Sequence, residues 1–218
     1  MSDDLILHGS PHSLFTYKVA LMLRLSRQAF SFRYVSFQKG MHRTPEFLAL
    51  SRWGQVPVLR HGERTLVQSA SILEYLAEHL GAFGGADGDV RRRVREWLCW
   101  DADRLTPPAF NAYGARLGEL KLLPIAFDPQ VIAHYRAAGE RAWTALDAHL
   151  AAAPFVAATE PTIADIACYA AAAFARLGQI DLAPWPHVIG WTRRIEALPG
   201  FAVPFDLLPM ADAEIPAA

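Results

Sequence analysis

The chain has 218 residues and a formal net charge of −1; 52% of its residues are hydrophobic and 20% are charged. This apolar content is enough for a packed core and excludes a disordered or collagen-like chain. Because no excess of positive charge is available to neutralise phosphates, we expect no nucleic-acid binding. The chain starts with no basic segment and no apolar run of signal length, so we expect a cytoplasmic protein without membrane contact.

The first eighty residues mix short apolar strands with amphipathic helices. The predicted elements are a strand over 5–8, a helix over 14–26, a strand over 30–35, a short helix from 45, a hairpin of 56–59 with 65–67, and a helix over 69–80. Thr44 and Pro45 are typical of an N-cap and a first helical position, and Ser69 is predicted to cap the last helix. A right-handed crossover makes the first two strands parallel, and the hairpin is antiparallel. This order predicts an α/β, thioredoxin-like sheet.

A glycine-rich stretch near residue 81 separates this part from an alanine-rich one. Four glycines fall within residues 81–88, and glycine loses the most entropy on ordering. We therefore place one domain at 1–82, a linker at 83–87 and an all-helical domain at 88–218. The predicted helices of that domain are 88–119, 128–152, 162–177, 186–198 and a short one after Gly200, with a kink at Pro107-Pro108 and no strand.

The thiols and imidazoles favour structural roles. Cys99 and Cys168 form no CxxC pair and lie in apolar helical stretches, so we expect two buried free thiols and no disulfide framework. The eight histidines show no ligand spacing, and no metal site is expected. The basic run 91–95 is balanced by neighbouring acids and is interpreted as a solvated helix face.

Five patterns in succession resemble the glutathione S-transferase superfamily. They are Ser10-Pro11-His12-Ser13 before the first helix, the segment 45–59 containing Gln55-Val56-Pro57, the segment 66–76 containing Gln68-Ser69, the glycine-rich linker, and Pro161-Thr162-Ile163-Ala164-Asp165-Ile166. The chain is similar to bacterial members with an active-site serine, in the theta and nu branches. The resemblance implies a cytosolic homodimer that uses glutathione as co-substrate, with no metal, and holds a small-molecule electrophile in the helical domain.

Within this resemblance, Ser13 is the catalytic candidate. Its hydroxyl would donate to the glutathione sulfur, and the start of the first helix adds positive potential. The alternative is that Ser13 is only a helix cap. Ser10, Thr16 and Tyr17 are the reserve candidates, and His12 is interpreted as a surface turn residue. Since no cysteine occurs before Cys99, a mixed disulfide between this domain and glutathione is not expected.

The γ-glutamyl end of glutathione is assigned by the resemblance to Gln68 and Ser69. The Ser69 hydroxyl and the N–H groups of the following helix would hold the carboxylate. Many relatives carry an acid at position 68, and neutral Gln68 accepts from the ligand ammonium without forming an ion pair. Gln55 is expected to reach the same ligand.

The resemblance assigns the cysteinyl and glycyl parts of glutathione to two loops. The Val56-Pro57 bond resembles the cis-proline of the family, whose preceding residue pairs through its backbone with the cysteinyl part. His42 stands where relatives carry a basic residue for the glycyl carboxylate. Lys39 and Arg43 are substitutes, and an exposed loop without a ligand is the alternative for all three.

In the helical part, Thr162 and Asp165 form a capping-box pattern that we interpret as a folding element. Four aromatic residues of the long helix either line the electrophile pocket or belong to the core: Trp97, Trp100, Phe110 and Tyr113.

Two other functions fit the same patterns. A glutathione-dependent isomerase or lyase needs the same first domain and differs in the second pocket. A non-catalytic binding protein of this fold commonly loses the thiol-activating residue or the Gln-Ser pair, both of which this chain has.

Overall fold

The computed structural model describes residues 4–123 and 126–218. The strands are β1 (Leu5–Gly9), β2 (Phe30–Tyr34), β3 (Val58–His61), β4 (Arg64–Val67) and β5 (Ala213–Ile215). The helices are α1 (Leu14–Leu25), α2 (Pro45–Leu50), α3 (Ser69–Leu80), α4 (Gly88–Trp100), α5 (Thr106–Glu119), α6 (Pro129–Leu150), α7 (Ile163–Leu177), α8 (Pro186–Glu196) and α9 (Pro204–Leu207). None of the described helices is long and apolar enough to cross a membrane.

The chain divides into two compact units, one of Met1–Ala82 with Leu198–Ala218 and the other of Phe83–Ala197. The sequence predicts that Leu198–Ala218 belongs to the helical domain. In the structure this segment folds with the first unit instead. The physical reason is a set of non-local bonds: Tyr17 donates its O–H to Ala202 O at 2.8 Å, and Arg24 Nη1 donates to Pro216 O at 2.8 Å.

The first unit is built on one five-stranded sheet in the order β4-β3-β1-β2-β5. β1 and β2 are parallel, whereas β3, β4 and β5 each run antiparallel to their neighbours, so the predicted parallel pair and hairpin are confirmed. Leu7 pairs with Phe32 on one side and Leu59 on the other, and all three are fully buried. Strand β5 was not predicted.

The turn from β1 into α1 is tight because Gly9 has no side chain. A Cβ on Gly9 would overlap Thr16 Cγ2 and lie 2.7 Å from Thr16 Oγ1. Thr16 is fully buried, and its Oγ1 accepts from Ser10 N at 3.3 Å. The first turn of α1 is thereby held directly beyond the end of β1.

We predict that Gly9→Ala lowers the free energy of unfolding by about 1–3 kcal/mol, because Thr16 must rotate away and the core around it is closely packed. Gly88→Ala is the control, since apart from its chain neighbours and the nearby backbone of its own helix no described atom lies within 4 Å of its Cβ position. Urea denaturation of both variants checks this. Equal stability of the two would show that the Gly9–Thr16 contact does not limit the turn.

The long helix predicted over 88–119 is interrupted as its prolines require. A π-helix over Asp101–Leu105 separates α4 from α5, and Pro107 and Pro108 follow at the start of α5. Proline has no backbone N–H to donate to a carbonyl of the preceding helical turn. The carbonyls one turn before Pro107 and Pro108 therefore need other partners. Asp101 Oδ1 accepts from Thr106 Oγ1 at 3.0 Å across this break.

Asp165 connects the start of α7 to its surroundings, as the capping pattern predicts. Its buried carboxylate accepts from Thr162 N at 2.9 Å, Thr162 Oγ1 at 3.0 Å, Val156 N at 2.9 Å and Trp191 Nε1 at 3.0 Å. Burial raises the pKa of Asp165, and the four donors oppose this rise because each favours the charged form. The carboxylate thus has a structural role.

The structure confirms the predicted burial of one cysteine of the helical unit and contradicts that of the other. Cys168 is buried as predicted, but Cys99 is exposed, and the prediction for it is wrong. The buried stripe of α4 is Val90, Val94 and Leu98, and Cys99 lies one residue past that stripe, about 100° around the helix. Tyr113 belongs to the core, where its ring packs 5.1 Å from that of Phe174.

Candidate active site

The predicted site residues follow or precede strands at one edge of the sheet. β1 and β2 run parallel and end at the same edge, with His8 opposite Val58 of β3. Val58 is in turn opposite Val67 of β4. The segments 10–13, 35–44, 51–57 and 68–69 therefore all begin or end at this edge.

Ser13 is the N-cap of α1. Its Oγ accepts from Thr16 N at 3.2 Å, and the residue is 5% exposed. This bond uses one of the two oxygen lone pairs, and among the described residues the Ser13 hydroxyl donates to no group, so its proton is available to a ligand. The position combines a hydroxyl donor with the positive end of a twelve-residue helix.

The three reserve hydroxyls are engaged in structure. Ser10 Oγ accepts from His12 N at 3.3 Å, and Thr16 Oγ1 accepts from Ser10 N. Tyr17 is fully buried and directs its O–H to a backbone carbonyl. Since Ser10 and Thr16 act as acceptors just as Ser13 does, it is the N-cap position of Ser13 at the start of α1, and not a difference in hydrogen bonding, that makes it the candidate.

A fixed loop presents the backbone of Val56. The Val56-Pro57 peptide is cis, as the resemblance predicts. Ser51 Oγ donates to Gln55 O at 2.8 Å and accepts from Gln55 N at 3.1 Å, which holds the loop in place. Within residues 4–123 and 126–218, the N–H and C=O of Val56 have no hydrogen-bond partner, so both are available to an extended peptide.

Gln68 takes the N-cap position of α3, and Ser69 is the first helical residue rather than the predicted cap. Gln68 has φ 69° and ψ 115°, a conformation that is strained for a residue with a side chain. Its Nε2 donates to Gln55 Oε1 at 3.3 Å instead of its side chain capping the helix. The first-turn N–H groups of α3 thus remain open to an anion.

His42 lies in a 3₁₀ turn, Met41–Arg43, on the segment that follows β2. Its Nδ1 is buried without a hydrogen-bond partner in the described structure, and Phe37 packs edge-on at 5.3 Å. Burial, and then the charge of Arg43, lower the pKa of His42. A carboxylate bound beside the ring would raise this pKa again, so such a ligand and a proton would bind together.

The arrangement suits an extended peptide with an acid at each end. In the strand order β4-β3-β1-β2, the uncapped start of α3 follows β4, Val56 precedes β3, Ser13 follows β1, and the segment with His42 follows β2. Among residues 4–123 and 126–218, no group of three or more His, Cys, Asp or Glu side chains is arranged to hold a metal ion.

Comparison with known proteins gives matches over most of the chain. The glutathione S-transferase N-terminal domain family matches residues 7–82, and the corresponding C-terminal domain family matches residues 129–194. A maleylacetoacetate isomerase of Rhizobium meliloti is 30% identical over 92% of this chain and 95% of its own length. The chain belongs to the glutathione S-transferase family.

Two further proteins to which the chain is similar carry different names. The disulfide-bond oxidoreductase YfcG of Escherichia coli is 29% identical over 84% of this chain and 86% of its own length. A glutathione S-transferase of Xanthobacter autotrophicus has a crystal structure that covers 93% of this chain and 98% of its own, with 30% identity and a TM-score of 0.83. Family membership therefore fixes the fold and leaves the reaction to be argued from the site.

One contact beside the candidate site is not predicted from the sequence. The C-terminal segment reaches the loop that carries Ser13, where the rings of Phe205 and His12 meet edge-on at 5.3 Å. No local pattern in residues 198–218 indicates this return to the first unit, because it depends on partners far away in the sequence.

The strain at Gln68 leads to a prediction. Gln68→Gly should keep or raise the free energy of unfolding, by up to about 2 kcal/mol, because glycine adopts positive φ freely. The same change should weaken glutathione binding at least about tenfold, since a hydrogen bond to a charged ligand group is lost. Denaturant unfolding and calorimetric titration measure the two effects.

The matched control for Gln68→Gly is Arg27→Gly, at another residue of the first unit with positive φ (55°). It should leave glutathione affinity unchanged. A Gln68→Gly protein that binds glutathione as tightly as the unaltered protein would remove Gln68 from the site.

Proposed function

We propose that this protein is a glutathione transferase that ionises the glutathione thiol at Ser13 and conjugates it to small electrophiles. The observation that carries the proposal is the hydroxyl of Ser13 at the start of α1, which accepts from Thr16 N and, within residues 4–123 and 126–218, donates to no group. Gln68, Ser69 and the α3 start bind the γ-glutamyl end, the Val56 backbone pairs with the cysteinyl part, and His42 takes the glycyl carboxylate.

The energies are sufficient for this role. A cysteine-type thiol has a pKa of about 8.5, and lowering it by about 2 units requires about 2.7 kcal/mol. A hydrogen bond to a charged group contributes about 1.5–3 kcal/mol, and a helix start adds about 0.3–1 kcal/mol. One hydroxyl and one helix end therefore suffice to hold glutathione as a thiolate near neutral pH.

Two other reactions start from the same thiolate. The isomerase and the oxidoreductase among the relatives favour, as second candidates, an isomerase or lyase in which the thiolate adds and leaves again, and reduction of a disulfide by bound glutathione. Reduction through a cysteine of the first unit is not proposed, because its chain segments, 1–82 and 198–218, contain none.

That the protein is cytoplasmic and that it forms a homodimer are also predictions.

Ser13→Ala tests the central step. The pKa of the bound glutathione thiol should rise by about 1–2 units, because a donor worth about 1.5–3 kcal/mol to the thiolate is removed. The near-ultraviolet absorbance of the thiolate reads this pKa in a pH titration of the complex. Conjugation activity at neutral pH should fall, and higher pH should restore part of it.

Thr44→Ala is the control, because Thr44 caps α2 as Ser13 caps α1. Both variants lose an N-cap worth about 0.5–2 kcal/mol of stability, and only Ser13→Ala should move the thiol pKa. A thiol titration that is the same in both variants would contradict the proposal and leave Ser13 as a helix cap.

A further inference from the structure

The loop 36–44, between β2 and α2, is closed by two hydrogen bonds that join Ser36 and Met41. Met41 N donates to Ser36 O at 3.0 Å, and Ser36 N donates to Met41 Sδ at 3.4 Å. Ser36 is 4% exposed, and its N–H donates to no other group of the described chain. The thioether sulfur of Met41 is therefore the acceptor that satisfies a buried N–H and closes the loop.

The loop 36–44 also carries one of the proposed glutathione contacts. His42 directly follows Met41, and its ring packs edge-on against that of Phe37 at 5.3 Å. The backbone O of His42 lies 2.8 Å from the position that a Cβ on Gly54 would take, so the loop fits closely against the segment that precedes β3. A change in the closure at Met41 would therefore reach His42 and its surroundings.

The side chain that closes this loop is open to solvent. Met41 is 39% exposed, whereas Met22 of α1 is fully buried. One lone pair of the Met41 sulfur accepts from Ser36 N, and the other is left to attack an electrophilic oxygen. Met210 is 56% exposed, but in the part of the chain that the structure describes its sulfur accepts no hydrogen bond. Among the described methionines, Met41 thus combines exposure with a structural bond that oxidation would break.

We propose that Met41 is an oxidation site, and that its conversion to the sulfoxide lowers the affinity of the protein for glutathione. The oxidant is a peroxide. Its O–O bond breaks, one oxygen bonds to Sδ, the thioether loses two electrons, and the other oxygen takes up the proton and leaves as water or as an alcohol. The effect on affinity rests on the proposed function, because it requires glutathione to contact His42.

Oxidation at Met41 removes the acceptor from Ser36 N. The sulfur of a sulfoxide is positively polarised, so it no longer attracts an N–H, and the added oxygen makes the side chain polar and larger. The closed loop would then contain a buried N–H without a partner, which favours an open loop. Because glutathione needs His42 in the closed loop, its apparent affinity falls with the fraction of chains that stay closed.

The test is calorimetric titration of the full chain with glutathione before and after treatment with hydrogen peroxide. The peroxide is then removed and dithiothreitol added, which returns the exposed Cys99 to its thiol and leaves sulfoxides in place. Peptide mass spectrometry measures the sulfoxide at Met41. Affinity of the oxidised protein should be about 5- to 100-fold lower, as expected for the loss of an acceptor by one buried N–H. Methionine sulfoxide reductases for both epimers should restore it.

Two variants assign the effect to one sulfur. Met210→Leu keeps Met41, and treatment should lower its affinity as it does that of the unaltered protein. Met41→Leu keeps an apolar side chain of similar size, but leucine offers Ser36 N no acceptor. This variant should therefore bind glutathione more weakly before treatment, and treatment should lower its affinity no further. Thermal unfolding verifies that both variants are folded.

The possible results separate the two claims. If the protein oxidised at Met41 binds glutathione as tightly as the untreated protein, the oxidation switch is overturned and the proposed function is left intact. The same conclusion follows if peroxide weakens binding equally in Met41→Leu, or if Met41→Leu binds like the unaltered protein before treatment. Failure of the untreated protein to bind glutathione would overturn the proposed function and the switch with it.

Discussion

The contact between Thr16 and the backbone of Gly9 determines where α1 begins, and the proposed chemistry depends on that position. Because glycine lets the helix approach the end of β1, Thr16 Oγ1 can accept from Ser10 N and close the turn from within. Ser13 then caps the helix at the sheet edge, with its proton directed to no group of the turn. A sulfur placed there meets a hydroxyl and the positive end of a helix together.

The same edge concentrates polar groups that the free protein leaves unpaired. The N–H and C=O of Val56 and the Nδ1 of His42 have no partners within the described chain, and α3 starts without a side-chain cap. A buried polar group without a partner costs about 1–3 kcal/mol, and the positive φ of Gln68 adds strain. A peptide ligand that satisfies these groups would recover that energy as affinity.

How far the sequence predicts this structure depends on the range of the interactions. Local patterns located β1, α1, β2 and α2, because periodicity, Thr44 and Pro45 act within one or two turns of chain. The cis bond at Val56-Pro57 came only from the resemblance, since the bond itself has no local signature.

Non-local features could not be predicted in this way. The cap of α3 differs by one residue because Gln68 turns its side chain to Gln55, a partner on another loop. Strand β5 has three residues and forms because the edge of β2 offers backbone partners, with Glu214 accepting from Ser31 and Arg33. Cys99 is a different case, because its exposure follows from the local helical period: it lies one residue past the buried stripe Val90, Val94 and Leu98.

The proposed function requires that glutathione bind along one sheet edge of the first unit. The most direct measurement is amide chemical-shift mapping of the isotope-labelled full chain during titration with glutathione. We expect the largest shifts at residues 12–14, at 55 and 56, and at 68–71, with smaller ones near 42. Shifts confined to Phe83–Ala197, or spread without preference over the first unit, would contradict it.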